Sequence, residues 1–199
     1  MKPDKRMLVV EFIHDNCPRW ILHPEFVQIL GLKKIILQEA NSYFRGQASM
    51  SGGLWISEET AKWRHASPYT QPKGKSDLSP LGVFAHEMGH HVWFAIRRKY
   101  RMSPRSKKLP PVLLLEWHIL HANKKKGGIT SYARSHPEED FAETHRLFVL
   151  NPRLLKQLCP DRYKMMCKCY IELIGTDKPK SKFKQGKGEF AKQWEVLTS

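Results

Sequence analysis

His86-Glu87-Met88-Gly89-His90 constrains this chain more than any other stretch. It reads H-E-x-x-H, and the apolar positions around it (Leu81, Phe84, Ala85, Met88, Val92 and Ile96) follow the helical period. Ser79 as N-cap and Pro80 at the first helical position open that helix, which runs to about Arg98. Four residues of helix advance roughly 400°, so His86 and His90 stand one turn apart on nearly the same face. Two imidazoles so placed can hold one Zn²⁺, with Glu87 beside them to take a proton from metal-bound water. A third ligand has to come from elsewhere in the chain.

A catalytic zinc site takes three protein ligands and keeps one position for water. The metzincin extension would put Gly at position 93 and His at position 96. Trp93 and Ile96 stand there, which excludes that class. A carboxylate from a second helix is needed instead. Ser135-His136-Pro137-Glu138 marks a helix start, with Ser as cap, Pro just inside and Glu three residues after the Ser. That helix continues through Phe141, Ala142, Phe148 and Val149 to a stop at Asn151-Pro152. It carries Glu138, Glu139, Asp140 and Glu143, and spacing alone leaves the choice among them open. Glu139 and Glu143 share a face at i, i+4. One could bind the metal while the other holds a ligand histidine's free N–H.

Ser131-Tyr132-Ala133-Arg134-Ser135-His136-Pro137-Glu138-Glu139-Asp140-Phe141-Ala142-Glu143 resembles the second half of the active site in the anthrax lethal factor catalytic domain. It is also similar to the Pro-Pro endopeptidases and to uncharacterised phage and bacterial metallopeptidases of the gluzincin type. The resemblance spans residues 32–150. It implies Glu139 as third ligand, Glu143 as the acid behind a ligand histidine, and Tyr132 as the phenol that donates to the oxyanion. It also sets Leu54-Trp55-Ile56-Ser57 where that family has its active-site edge strand, which makes Leu54, Trp55 and Ile56 substrate-binding positions. The chain departs from the pattern at Asp140, where lethal factor has an apolar residue, and at His91 directly after the motif.

The other histidines have milder readings. His91 lies about 100° from the His90 direction and faces outward or packs. His145 is a surface residue, and His118 and His121 are structural. Trp93 and Trp117 belong to the core. Residues 6–13, rich in Val, Phe and Ile, predict a first strand. Pro24 to Leu30 predicts a short helix stopped by Gly31, and residues 32–37 a strand. Ala66 to Ser79 is a surface loop and Arg101 to Pro110 a basic one. Further helices are predicted from Pro111 to about Asn123, and over 153–158 and 161–174. A flexible stretch follows over 176–188, and Phe190 to Leu197 docks back onto the body.

The fold class that emerges is α+β and zincin-like: a small mixed sheet with an edge strand over the H-E-x-x-H helix, then a helical half. Residues 1–174 form one domain and 175–199 a basic flexible tail. No run of 18 apolar residues predicts a membrane span, and no secretory signal is read at the start. Cys17, Cys159, Cys167 and Cys169 form no C-x-x-C pair and read as reduced thiols, so a cytoplasmic setting is expected. The net charge of +15 concentrates in residues 97–108, with seven basic residues, and 178–187, with five lysines. Such segments attract nucleic acid or acidic proteins. The expected function is a zinc-dependent endopeptidase acting on peptide or protein, with one Zn²⁺ per chain. The alternative is a basic nucleic-acid-associated protein whose zincin core is catalytically silent or acts on nucleic-acid-bound proteins.

Overall fold

The fold is mixed α+β and mostly helical, as a computed structural model describes it for residues 5–39, 44–63, 76–100, 112–123, 129–183 and 194–195. The loop at 66–75, the basic loop 101–110, Lys124 to Lys126 and the tail beyond 183, apart from 194–195, lie outside the described residues. Among the described residues no helix is long and apolar enough to cross a membrane. All four cysteines are free thiols.

The first element corrects the sequence reading. Residues 6–13 belong to helix α1 (Lys5–Asn16), not to a strand. Its buried side chains Val9 and Ile13, continued by Cys17, recur every four residues, which is the period of a helix face. That face packs on the motif helix, and tertiary burial overrides the β propensity of its Val and Ile residues. Helix α2 (Pro24–Leu30) starts with Pro at its first turn and stops at Gly31, as predicted.

The sheet has the order β2-β3-β1-β4. Strand β1 (Lys34–Gln38) runs parallel to β3 (Gly53–Ser57), with Ile35 opposite Leu54 and Leu37 opposite Ile56. Strand β2 (Gly46–Ala48) pairs antiparallel with β3, with Gly46 opposite Ile56. The two-residue β4 (Trp194–Glu195) lies parallel to β1 on the far side. The Leu54–Ser57 strand is therefore interior, hydrogen-bonded on both sides, and the edge on the motif side is β2.

Helix α3 (Pro80–Lys99) is the central element and is buried almost all round. Ser79 caps it by accepting from the Gly82 N–H at 3.0 Å. Helix α4 (Val112–Ala122) contributes Trp117, fully buried, whose indole N–H donates to the Pro137 carbonyl at 3.0 Å. That bond fixes the start of α5 (Pro137–Leu150). The cap of α5 is His136 rather than Ser135: its Nδ1 accepts from the Glu138 N–H at 3.4 Å. Helices α6 (Pro152–Leu158) and α7 (Pro160–Ile174) follow. The stretch expected to be flexible begins with order. Helix α8 (Pro179–Lys182) leads to Phe183, which is buried against His23 and Phe26. Its ring joins the core aromatics, so the packed body extends beyond residue 174.

Helices α3 and α5 meet closely at Gly89. A Cβ there would lie 2.8 Å from the Cα of Ala142 and 2.9 Å from the Cβ of His145. Gly89→Ala must therefore push the two helices apart. We expect a loss of about 1–3 kcal/mol in urea unfolding. An unchanged unfolding midpoint would contradict this close crossing.

Candidate metal centre

The α3–α5 crossing brings residues from distant parts of the chain to one point. Nε2 of His86 lies 3.1 Å from Oε2 of Glu139, and Nε2 of His90 lies 3.5 Å from the same oxygen. One donor atom from each residue falls within 4.8 Å of the others, close enough to hold a metal ion. It is the one such cluster found among the described residues. The two imidazole rings are 5.0 Å apart and nearly perpendicular.

The other acids of α5 are engaged elsewhere. Glu138 pairs with Arg97 at 3.6 Å. Asp140 is fully buried and receives two hydrogen bonds from Arg162, from Nε at 2.9 Å and Nη2 at 2.7 Å, with His121 at 3.2 Å. Glu143 lies behind His86, its Oε1 2.9 Å from Nδ1. It also accepts from Arg146 Nε at 3.2 Å and Nη2 at 3.0 Å. Arg146 was missed in the sequence, although E-x-x-R at i, i+3 on a helix is a readable ion-pair spacing.

The electrostatics fit a cation at this point. Burial opposes a charge on His86, yet the hydrogen bonds to Glu139 and Glu143 and the nearby Glu87 bring its pKa up to about 10. Burial would also raise Glu139, but His86 and His90 hold it well below the usual carboxylate range. Burial acts likewise on Glu143, and Arg146 and His86 bring it down to about 2. Protons on His86 satisfy both carboxylates here. A metal at Nε2 would take the place of one proton and leave Nδ1–H donating to Glu143.

Glu87 is 5% exposed, and burial pushes its carboxyl up. It lines a cavity of about 410 Å³ together with Phe44, Gly46, Val83, His86 and Tyr132. Strand β2 lies hard against it: a Cβ on Gly46 would fall 2.5 Å from Oε1 of Glu87. Tyr132 opens a 3-10 turn (Tyr132–Arg134) before α5 and is 49% exposed, its ring 5.8 Å from that of His86. Partial burial and the charge of Glu139 raise its phenol, which keeps its proton at neutral pH.

Leu54, Trp55 and Ile56 are not among the cavity's lining residues. Leu54 and Ile56 are core residues, and the strand that carries them has no free edge for an extended peptide. The basic segments are described over 97–100 and 178–183 only. There Arg97 pairs with Glu138, Arg98 donates to the Leu30 carbonyl, and Lys182 donates to the Ile174 carbonyl at 2.7 Å. No family model matches the chain, and neither a curated protein nor a solved structure matches it.

His145, expected at the surface, is fully buried. Its Nδ1–H donates to the Ala85 carbonyl at 2.8 Å, and Nε2 accepts from the Tyr170 hydroxyl at 2.8 Å. His91 is also fully buried and donates to the Gly53 carbonyl at 3.1 Å. Burial brings each imidazole from 6.5 down to about 4. Between these values the unfolded chain binds protons that the native state refuses, so stability falls as pH drops through that window. The slope is at most about 1.4 kcal/mol per pH unit for each histidine. Metal-free His86 acts above pH 6.5, because its native value is raised, and does not cancel this loss. Urea midpoints measured in chelator at pH 7, 6 and 5 should fall steadily. Midpoints that stay constant over this range would contradict the neutral burial of both rings.

Proposed function

We propose that this chain is a zinc-dependent endopeptidase with a zincin-like fold, related in its active-site plan to the lethal factor group that its motifs resemble. The observation that carries the reading is the convergence of His86, His90 and Glu139 beside the buried Glu87, with His86 and Glu87 lining a cavity. Two imidazoles and one carboxylate match the donor set of catalytic zinc peptidases. Bound zinc would supply Lewis acidity toward the scissile carbonyl and a water acidic enough to deprotonate near neutral pH.

The remaining work falls to the chain's own groups. Glu87 takes a proton from the attacking water and later returns it to the leaving amine. Its burial raises its pKa, which suits a group that must hold that proton between the two steps. Tyr132 donates its phenolic proton in a hydrogen bond to the oxygen that becomes negative. Glu143 accepts from His86 Nδ1 and fixes the orientation of that ring, and Arg146 keeps Glu143 ionised. An extended substrate would pair with β2, the strand that lies against Glu87, rather than with β3.

Glu87→Gln should retain zinc and lose peptide cleavage. A variant that cleaves like wild type would refute the assigned base. Glu139→Gln should lose zinc as well as cleavage, read by metal analysis after dialysis. Tyr132→Phe should lower kcat by about 10²-fold with little change in KM, measured on any peptide that the wild type cleaves.

A further inference from the structure

The exposed positions of α4 are all apolar: Val112, Leu115, Ile119 and Ala122. At about 100° per residue they fall within about 80° of one another and form one stripe along the helix. Val112 is 72% exposed, Ile119 64% and Leu115 44%. The opposite face buries Leu114 and Trp117 in the core. A surface helix ordinarily turns a polar face to water, and a helix apolar on both faces ordinarily lies inside. A contiguous aliphatic stripe left in water marks a surface that something else covers.

Cations border the stripe. Glu116, the only acid between positions 97 and 137, accepts from Nζ of Lys168 on α7 at 2.7 Å. Lys164, Lys168 and Ile171 are exposed on one face of α7, at i, i+4 and i+7. In sequence, seven Lys and Arg fall within 97–108, three more within 124–126, and Arg134 follows. Aliphatic side chains and positive charge therefore occur together, and the one local acid is already paired.

That combination selects the partner. A second copy would bring the same positive charge, and four side chains on one short helix fall far short of the ~800 Å² per partner that a stable dimer buries. A nucleic-acid backbone takes up cations and hydrogen-bond donors and has no use for an aliphatic stripe. The 11 residues of α4 are too few to cross a bilayer, but they suit a helix lying in the plane of its surface. There the acyl boundary takes the aliphatic side chains while anionic headgroups meet the lysines.

We propose that α4 and the adjoining face of α7 form a docking surface for an anionic lipid bilayer. Val112, Leu115 and Ile119 enter the headgroup boundary, and Lys164 and Lys168 lie against the headgroups. This assignment is independent of the metal centre and of peptide cleavage.

The full chain would be sedimented with phosphatidylcholine vesicles, with and without phosphatidylserine, at low and high salt. The proteins compared are wild type, the Val112→Gln/Leu115→Gln/Ile119→Gln triple variant and the Lys164→Gln/Lys168→Gln double variant, with melting temperatures as a check on folding. We expect wild type to bind vesicles that contain phosphatidylserine, to bind neutral ones about tenfold more weakly or less, and to be released by salt. The triple variant should lose about tenfold in affinity, and the double variant about fivefold. A triple variant that binds like wild type overturns the assignment, because the attraction is then purely electrostatic. Wild type that binds both vesicle types equally, or neither, overturns it as well. A double variant that binds like wild type overturns the part assigned to α7. A dimer in free solution that the triple variant abolishes would give the stripe to a second copy, and polyglutamate binding lost in that variant would give it to an acidic protein; either result overturns the lipid reading. If the triple variant fails to fold, Val112→Gln alone decides: weaker vesicle binding supports the docking surface, and unchanged binding overturns it.

Discussion

The close crossing of α3 and α5 at Gly89 and Ala142 is the constraint on which the site depends. Two of the candidate ligands come from α3 and the third from α5, 53 residues from His86. A carboxylate reaches only a few ångströms, so the helix backbones have to approach closely for Glu139 and Glu143 to meet His86. The absent side chain at Gly89 and the small one at Ala142 allow that approach. The rest of the fold braces it. The sheet and α1 cover α3 on one side, and α7 backs α5 on the other through Arg162 and Tyr170.

The bracing includes buried charge. Asp140 and Arg162 are both fully buried and joined by two hydrogen bonds, next in sequence to Glu139. A buried ion pair of this kind adds little net stability, because desolvation offsets its attraction. It does fix geometry: breaking either partner leaves an unpaired charge, so the first turn of α5 has one favourable setting. The carboxylate at position 140 thus has a partner of its own, apart from the His86-His90-Glu139 cluster.

Some of this was legible beforehand because the signals are local. The Ser79-Pro80 start and the apolar period of α3 place both histidines on one helix, and the structure agrees over Pro80–Lys99. The acidic start of α5 was equally plain, although His136 caps it instead of Ser135. Other readings failed where burial by distant elements decided the outcome. Val and Ile content made 6–13 look like a strand, whereas packing on α3 selects a helix. His145 carries no local sign that it will bond Ala85 and Tyr170 in the interior. Whether the Leu54–Ser57 strand is an edge depends on the short β2, whose three residues carry little pattern.

The sequence by itself determined the chemistry on offer: two imidazoles one helical turn apart, an acid between them, and a second helix loaded with carboxylates. Those follow from helix geometry and cap chemistry, which act over a few residues. Only the tertiary structure decided which carboxylate faces the imidazoles. Glu138, Glu139, Asp140 and Glu143 share one short helix, and their roles separate because Arg97, Arg162 and Arg146 reach three of them from other places in the fold or along the helix. Glu139 alone of the four meets Nε2 of both His86 and His90, whereas Glu143 meets His86 only at Nδ1. Long-range packing makes that selection; helix spacing leaves it open, and in the sequence only the resemblance of the 131–143 segment pointed to Glu139.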